Sequence, residues 1–166
     1  NIIVTGGASV DGSVMVAYTF DSYNHTSLTF IPAGDHAPGD SLVIMNEGGE
    51  VIGKIPQASH TYAVISDMHE GLMNEHQLTI AETTFGGRKE LENPQSVLTY
   101  GGLMLVTLQR AKTAREAIKV IGDIVELYGY REGGEIYTIA DPQEVWLLEI
   151  IGTGPGGGGF PLSNAP

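Results

Sequence analysis

The chain has 166 residues, 42% of them apolar, enough to bury one core, and two independently stable domains are not expected. Twenty acidic residues against eight basic ones give a formal charge of −12; a surface that negative repels nucleic-acid backbones and anionic lipid headgroups, so uncharged, cationic or zwitterionic partners fit better. The absence of cysteine excludes disulfides and thiolate metal sites within these residues, and apolar runs such as LMLV and VWLLEII are far shorter than the roughly 20 residues a membrane-spanning helix needs.

From the first residue, NIIV and SVMVAYTF are rich in β-branched and aromatic residues and flank TGGASVDG, where Asp11-Gly12 is a hairpin signal. Two antiparallel strands are expected, Ile2 to Thr5 and Ser13 to Phe20, and their register sets the first residues of the chain beside Tyr18 to Asp21. A short strand follows around Leu28 to Ile31, then a Pro/Gly-rich turn region, then a hairpin in SLVIMNEGGEVIGKIP turning at Gly48-Gly49. YAVISD and QLTIAETTF read as strands on either side of a polar connection, MHEGLMNEH. TYGGLMLVTLQRA reads as a short helix despite its paired glycines. In KTAREAIKVIGDIVELYGY, Thr113 and Glu116 form a capping box, Ala117, Ile118, Ile121, Ile124, Val125 and Tyr128 recur at helical spacing, and Gly129 sits at the C-terminal cap. GEIYTIADPQEVWLLEIIG reads as two strands joined at Asp141-Pro142-Gln143-Glu144. Strands, two helices, then strands imply an α+β layered domain with mostly antiparallel sheet.

Three motif-like stretches lead elsewhere and fail on context. IIVTGGAS suggests a dinucleotide turn and GTGPGG matches G-x-G-x-x-G, but neither is followed by the helix whose N-terminus would meet the pyrophosphate. HEGLMNEH lacks the second histidine at i+4 that a zinc-binding helix needs, since His69 is followed at that spacing by Met73. No metal or other cofactor is expected.

A carboxylate at Asp21 beside a chain terminus can orient an α-amino group, as an N-terminal nucleophile hydrolase requires. There the first side chain attacks, and its own amine, with an ordinary pKa of about 8, serves as base. Asn1 itself has no nucleophilic side chain. The stretches NIIVTGGASVDGSVMVAYTFDS, GLMNEHQLTIAETTFGGR, LQRAKTAREAIKVIGDIVELYGY and IADPQEVWLLEIIG carry a resemblance. From Asn1 to about Gly154 the chain resembles the N-terminal part of the bacterial cysteine dipeptidases of the N-terminal nucleophile (Ntn) superfamily, distant relatives of choloylglycine hydrolases and penicillin V acylases. The NEHQL motif, the ET pair and FGGR are its most specific elements.

The resemblance implies an α+β, four-layer αββα Ntn-hydrolase sandwich, with residues 1–154 its N-terminal portion and 155–166 a glycine-rich tail. In that family the mature chain starts with Cys-Thr or a similar pair, which places the nucleophilic Cys just before Asn1, outside the chain as given. Asp21 would hold the amine and thiol, or cap its strand end; Thr84 falls where related acylases place an oxyanion-hole Asn, and would donate through its hydroxyl or a neighbouring N–H, or be a simple strand-end Thr. Substrate-binding candidates are Tyr18, in place of an Arg found in many relatives, Glu82, facing a substrate ammonium or pairing with Arg88, and Arg88, facing a substrate carboxylate or forming a surface ion pair. Asn74 and Glu75 are expected to build a turn.

The expected function is a metal-free dipeptidase acting on short peptides through a thioester. The alternatives are an acylase on non-peptide amides, or a non-catalytic binding protein with the same fold. Nucleic acid and a membrane span are not expected; a homo-oligomer and a C-terminal remainder of the same protein stay open as partners. So do the bacterial cytoplasm and export after removal of a signal peptide.

Overall fold

A computed structural model describes residues 1–19, 27–46, 48–67 and 70–156. In chain order the strands are β1 (Ile2–Val4), β2 (Met15–Ala17), β3 (Leu28–Ile31), β4 (Gly34–Asp35), β5 (Ser41–Met45), β6 (Val51–Pro56), β7 (His60–Thr61), β8 (Val64–Asp67), β9 (Glu70–Asn74) and β10 (Thr79–Thr84). A 3-10 turn at Lys89–Leu91, helices α1 (Tyr100–Leu108) and α2 (Ala114–Tyr128), and strands β11 (Gly134–Ala140) and β12 (Val145–Ile151) complete the order. The fold is α+β, and every strand pairing among the described residues is antiparallel.

A six-stranded sheet in the order β12-β11-β10-β9-β8-β3 is the frame, and three two-stranded pairs, β1-β2, β4-β7 and β5-β6, surround it. Both helices lie on one face of the sheet. The Tyr137 hydroxyl on β11 donates to the Tyr100 carbonyl at the start of α1, 3.1 Å away, and Ile80, Tyr137, Ile139, Leu148 and Ile150 pack into one core with Leu103, Met104, Ile121 and Ile124. α1 is apolar on nearly all sides, so it forms by burial and not by amphipathic pattern; Thr99 caps it by accepting from the Gly102 N–H at 3.1 Å.

α2 begins as its capping box requires, with one variation. Thr113 accepts from the Glu116 N–H, but the Glu116 carboxylate reaches past Thr113 to the Lys112 N–H at 2.8 Å. Asp141, in the β11–β12 turn, accepts from the Ala114 N–H in the first turn of α2 and from the N–H groups of Gln143 and Glu144. One side chain thus closes the turn and satisfies an orphan donor of the helix.

MHEGLMNEH is not a connection: it contributes β9, a central strand. Its polar composition hid the strand because Asn74, the apparent loop residue, is buried with all its polar capacity used. Its amide donates to the Leu108 and Ala111 carbonyls after α1 at 2.8 and 2.7 Å, while its oxygen accepts from the His76 and Leu78 N–H groups. Glu75 likewise accepts from the Ala63 N–H at 2.8 Å. The expected turn-building role of Asn74 and Glu75 matches this arrangement.

Candidate functional site

The first hairpin forms as its sequence suggests, with Ile2 opposite Ala17 and Val4 opposite Met15. Carried one residue outward, that register sets Asn1 opposite Tyr18, which is half-buried. Asp21 lies outside the described residues. The hairpin rests on the large sheet, where the Asn1 side-chain amide donates to the Thr138 hydroxyl at 2.9 Å.

Register tells which face this is. Residues directly opposite in antiparallel strands share a face, and successive residues alternate. Thr138 is opposite Ala81 on β10 and Leu147 on β12, so Asn1 docks on the face of Thr79, Ala81, Thr83, Thr138 and Leu147, away from the helices. Glu82, Thr84, Glu135 and Tyr137 point to the helical side.

On that helical side Thr84 and Glu82 meet, joined by a residue the sequence did not single out. The Thr84 hydroxyl lies 2.9 Å from a Glu135 carboxylate oxygen and 3.2 Å from one of Glu82. Glu135 is buried, and burial, with the neighbouring Glu82 charge, pushes its carboxyl up to about 7 against the opposing hydrogen bonds from Thr84 and the Ile136 N–H. Tyr130 and Tyr137 lie close by, and burial pushes both phenols well above the ordinary range. A cleft of about 420 Å³ opens beside this cluster, lined among others by Thr84, Gly86, Glu132 and Gly133. Its rim explains the double glycine of FGGR. Gly86 and Gly87 have φ of 73° and 57°, and a Cβ on Gly87 would stand 2.7 Å from the Gly133 carbonyl oxygen. Arg88, next in the motif, is exposed and pairs with Glu90 at 3.6 Å, not with Glu82.

Of the sequence-derived candidates, the structure therefore groups Thr84 with Glu82 and aligns Tyr18 with Asn1, with the thickness of the sheet between the two groups. Thr138 and Glu135 carried no usable signal: one is a Thr in a β-branched strand, the other an acid whose burial depends on neighbours from distant segments. A second cleft, of about 430 Å³, lies on the Asn1 side between the hairpin and the sheet, lined by residues including Val14, Val16, Met73, Thr79 and Ala140. Among the described residues no cluster of three or more His, Cys, Asp or Glu is arranged to hold a metal ion.

Residues 1–159 match the family model described as Peptidase family C69. The chain is similar to a "Probable dipeptidase" of Latilactobacillus sakei, 26% identical over 165 residues, covering 91% of this chain and 34% of that protein. It is also similar to a "Probable dipeptidase B" of Streptococcus pyogenes serotype M1, 28% identical over 155 residues, covering 85% and 30%. A "Probable dipeptidase" of Salmonella dublin is 30% identical over 163 residues, covering 89% and 37%. The chain thus spans about a third of the length of these curated relatives.

Proposed function

The chain belongs to peptidase family C69, and from that premise we propose that it forms the leading part of a dipeptidase whose nucleophile is a cysteine thiol at the mature N-terminus, two residues ahead of Asn1. The observation that carries this reading is the seat of Asn1 on Thr138. It holds the leading end of the chain on the sheet face away from the helices, the face on which a cleft of about 430 Å³ opens toward the turn end of the hairpin. The helices on one face and the apolar residues on the other support half of a four-layer αββα Ntn-hydrolase sandwich, with the catalytic end between its sheets.

In this mechanism the thiol sulfur attacks the scissile carbonyl carbon and its proton passes to the free α-amine. The resulting ammonium returns that proton to the leaving amine as the C–N bond breaks, leaving a thioester. Water, deprotonated by the same amine, then attacks the thioester carbonyl; the acid departs and the thiol is restored. Asp21 holds the amine. Because the Thr84 hydroxyl is engaged with two carboxylates, the contribution of that position to the oxyanion falls to a backbone N–H at the end of β10. Tyr18, opposite Asn1 in the hairpin register, borders the substrate, and Arg88 keeps exposed donors for a substrate carboxylate. Glu82 faces the helical side, where its carboxylate meets the Thr84 hydroxyl.

The test is made on the full-length protein. Intact-mass and N-terminal sequencing should find an exposed cysteine, iodoacetamide should abolish dipeptide hydrolysis, and activity should fall in acid as the amine, with an ordinary pKa of about 8, becomes fully protonated. Full activity after acetylation of the N-terminal amine would falsify the mechanism. Turnover of acyl amides alone, across a panel that includes dipeptides, replaces dipeptidase with acylase.

A further inference from the structure

Thr138 is wholly buried although parts of the sheet face it occupies are open. Leu147, directly opposite on β12, is 62% exposed, and Met73, farther across the same face, is 40% exposed. The buried spot on this face is centred on Ala81, Thr138 and Ala140, where the first hairpin lies over the sheet. At its centre the Asn1 side-chain amide donates to the Thr138 hydroxyl at 2.9 Å.

We propose that Thr138 is a positioning residue for the peptidase reaction: its hydroxyl holds the Asn1 side chain and thereby sets where the leading end of the chain sits on the sheet. This rests on the N-terminal nucleophile reading above. Thr138 is suited to the task. It lies mid-strand between two hydrogen-bonded neighbours, and as a β-branched residue its χ1 is restricted, so the direction of its hydroxyl is set by the sheet and not by a loop. β1, by contrast, is a three-residue strand in a two-stranded pair, an element too small to be rigid by itself. An extended chain advances about 3.3 Å per residue, so a nucleophile two residues ahead of Asn1 lies within about 7 Å of it. Over so short a tether a shift of Asn1 is transmitted to the sulfur, and misplacement of a reacting atom by about 1 Å can lower a rate about 100-fold.

Four variants of the full-length enzyme test this: Thr138→Val, of the same shape without the hydroxyl, Thr138→Ser, which keeps it, Asn1→Ala, and the double variant Asn1→Ala/Thr138→Val. We expect Thr138→Val and Asn1→Ala each to lower kcat about 10- to 100-fold with KM within about twofold. Thr138→Ser should restore most of the rate, and the double variant should be no slower than the worse single one. The rate at which iodoacetamide alkylates the leading cysteine should fall in parallel and its pH profile shift, which a purely structural threonine would not cause. Asn1 is exposed, so Asn1→Ala leaves the core intact whatever happens to the Thr138 variants. Wild-type kcat in Asn1→Ala, in an enzyme still killed by alkylation, overturns this inference alone. Wild-type hydrolysis that survives complete alkylation overturns the nucleophile reading and this inference with it.

Discussion

Between Glu82 and Glu135 stands one hydroxyl with one proton to give. Thr84 lies within hydrogen-bonding distance of both carboxyl groups, so both contacts are fully satisfied only when one carboxyl carries a proton and donates it back to the Thr84 oxygen. Glu135 is the group that keeps it, because burial and the Glu82 charge raise its carboxyl from 4.5 to about 7. The folded state then binds this proton more tightly than the unfolded chain, so stability is greatest below the unfolded value, falls as pH rises from 4.5 to about 7, and levels off above. Glu135→Gln, which stays neutral, should flatten that slope and make the protein more stable at pH 8 by about 2 kcal/mol, less than the whole shift represents at roughly 1.4 kcal/mol per pH unit. Urea unfolding at pH 5 and pH 8 measures it; an equal slope in both proteins would contradict the assignment.

At the scale of elements, buried polar side chains tie neighbouring segments where backbone groups would otherwise be orphaned. Asn74 joins the β9–β10 turn to the carbonyls after α1. Asp141 joins the β11–β12 turn to the start of α2. Burial works against the Asp141 charge, but the N–H groups of Ala114, Gln143 and Glu144, helped by Arg115, outweigh it and hold the carboxyl below the ordinary range. Its stabilising contribution is therefore present at neutral pH and disappears as the carboxyl is protonated in acid. For Asn74→Ala, two buried carbonyls lose their donors and two N–H groups their acceptor, so a loss of about 3 kcal/mol is expected, at roughly 1 kcal/mol per bond with a surcharge for buried groups left unpaired. Chemical denaturation of the variant measures this, and a loss under about 1 kcal/mol would mean that water replaces the amide at little penalty.

Across the whole molecule the two faces of the large sheet differ sharply. The helical face carries the core. On the opposite face two exposed apolar groups flank the first hairpin, Phe30, Ile65 and Met73 on β3, β8 and β9 and Leu147 and Ile151 on β12, each residue between 40% and 67% exposed. So much exposed apolar surface on one face is unusual for a surface that meets only water. Residues 1–166 expressed alone should bind 1-anilinonaphthalene-8-sulfonate strongly and self-associate despite the charge of −12. A Phe30→Lys/Leu147→Lys double variant should do so much less. Weak dye binding by the unmodified segment would show that the face needs no cover.

Local periodicity and turn chemistry determine by themselves the first hairpin, α2 with its Thr113 cap, the β11–β12 pair with its Asp141 turn, and the α+β order, because each is specified by residues close together in the chain. The family resemblance rests on motifs of the same local kind, such as NEHQL, whose Asn builds a turn, and FGGR, whose glycines allow a close backbone crossing. Only the tertiary structure could decide that MHEGLMNEH supplies a central strand, because the carbonyls that satisfy the Asn74 amide come from the end of α1 and the residues after it, more than thirty positions away. It alone separates Thr84 from Asn1 by the thickness of the sheet and joins Asn1 to Thr138 across 137 positions. Alternation along a strand tells which residues share a face, but which face receives the helices and which the chain's leading end is decided by long-range packing.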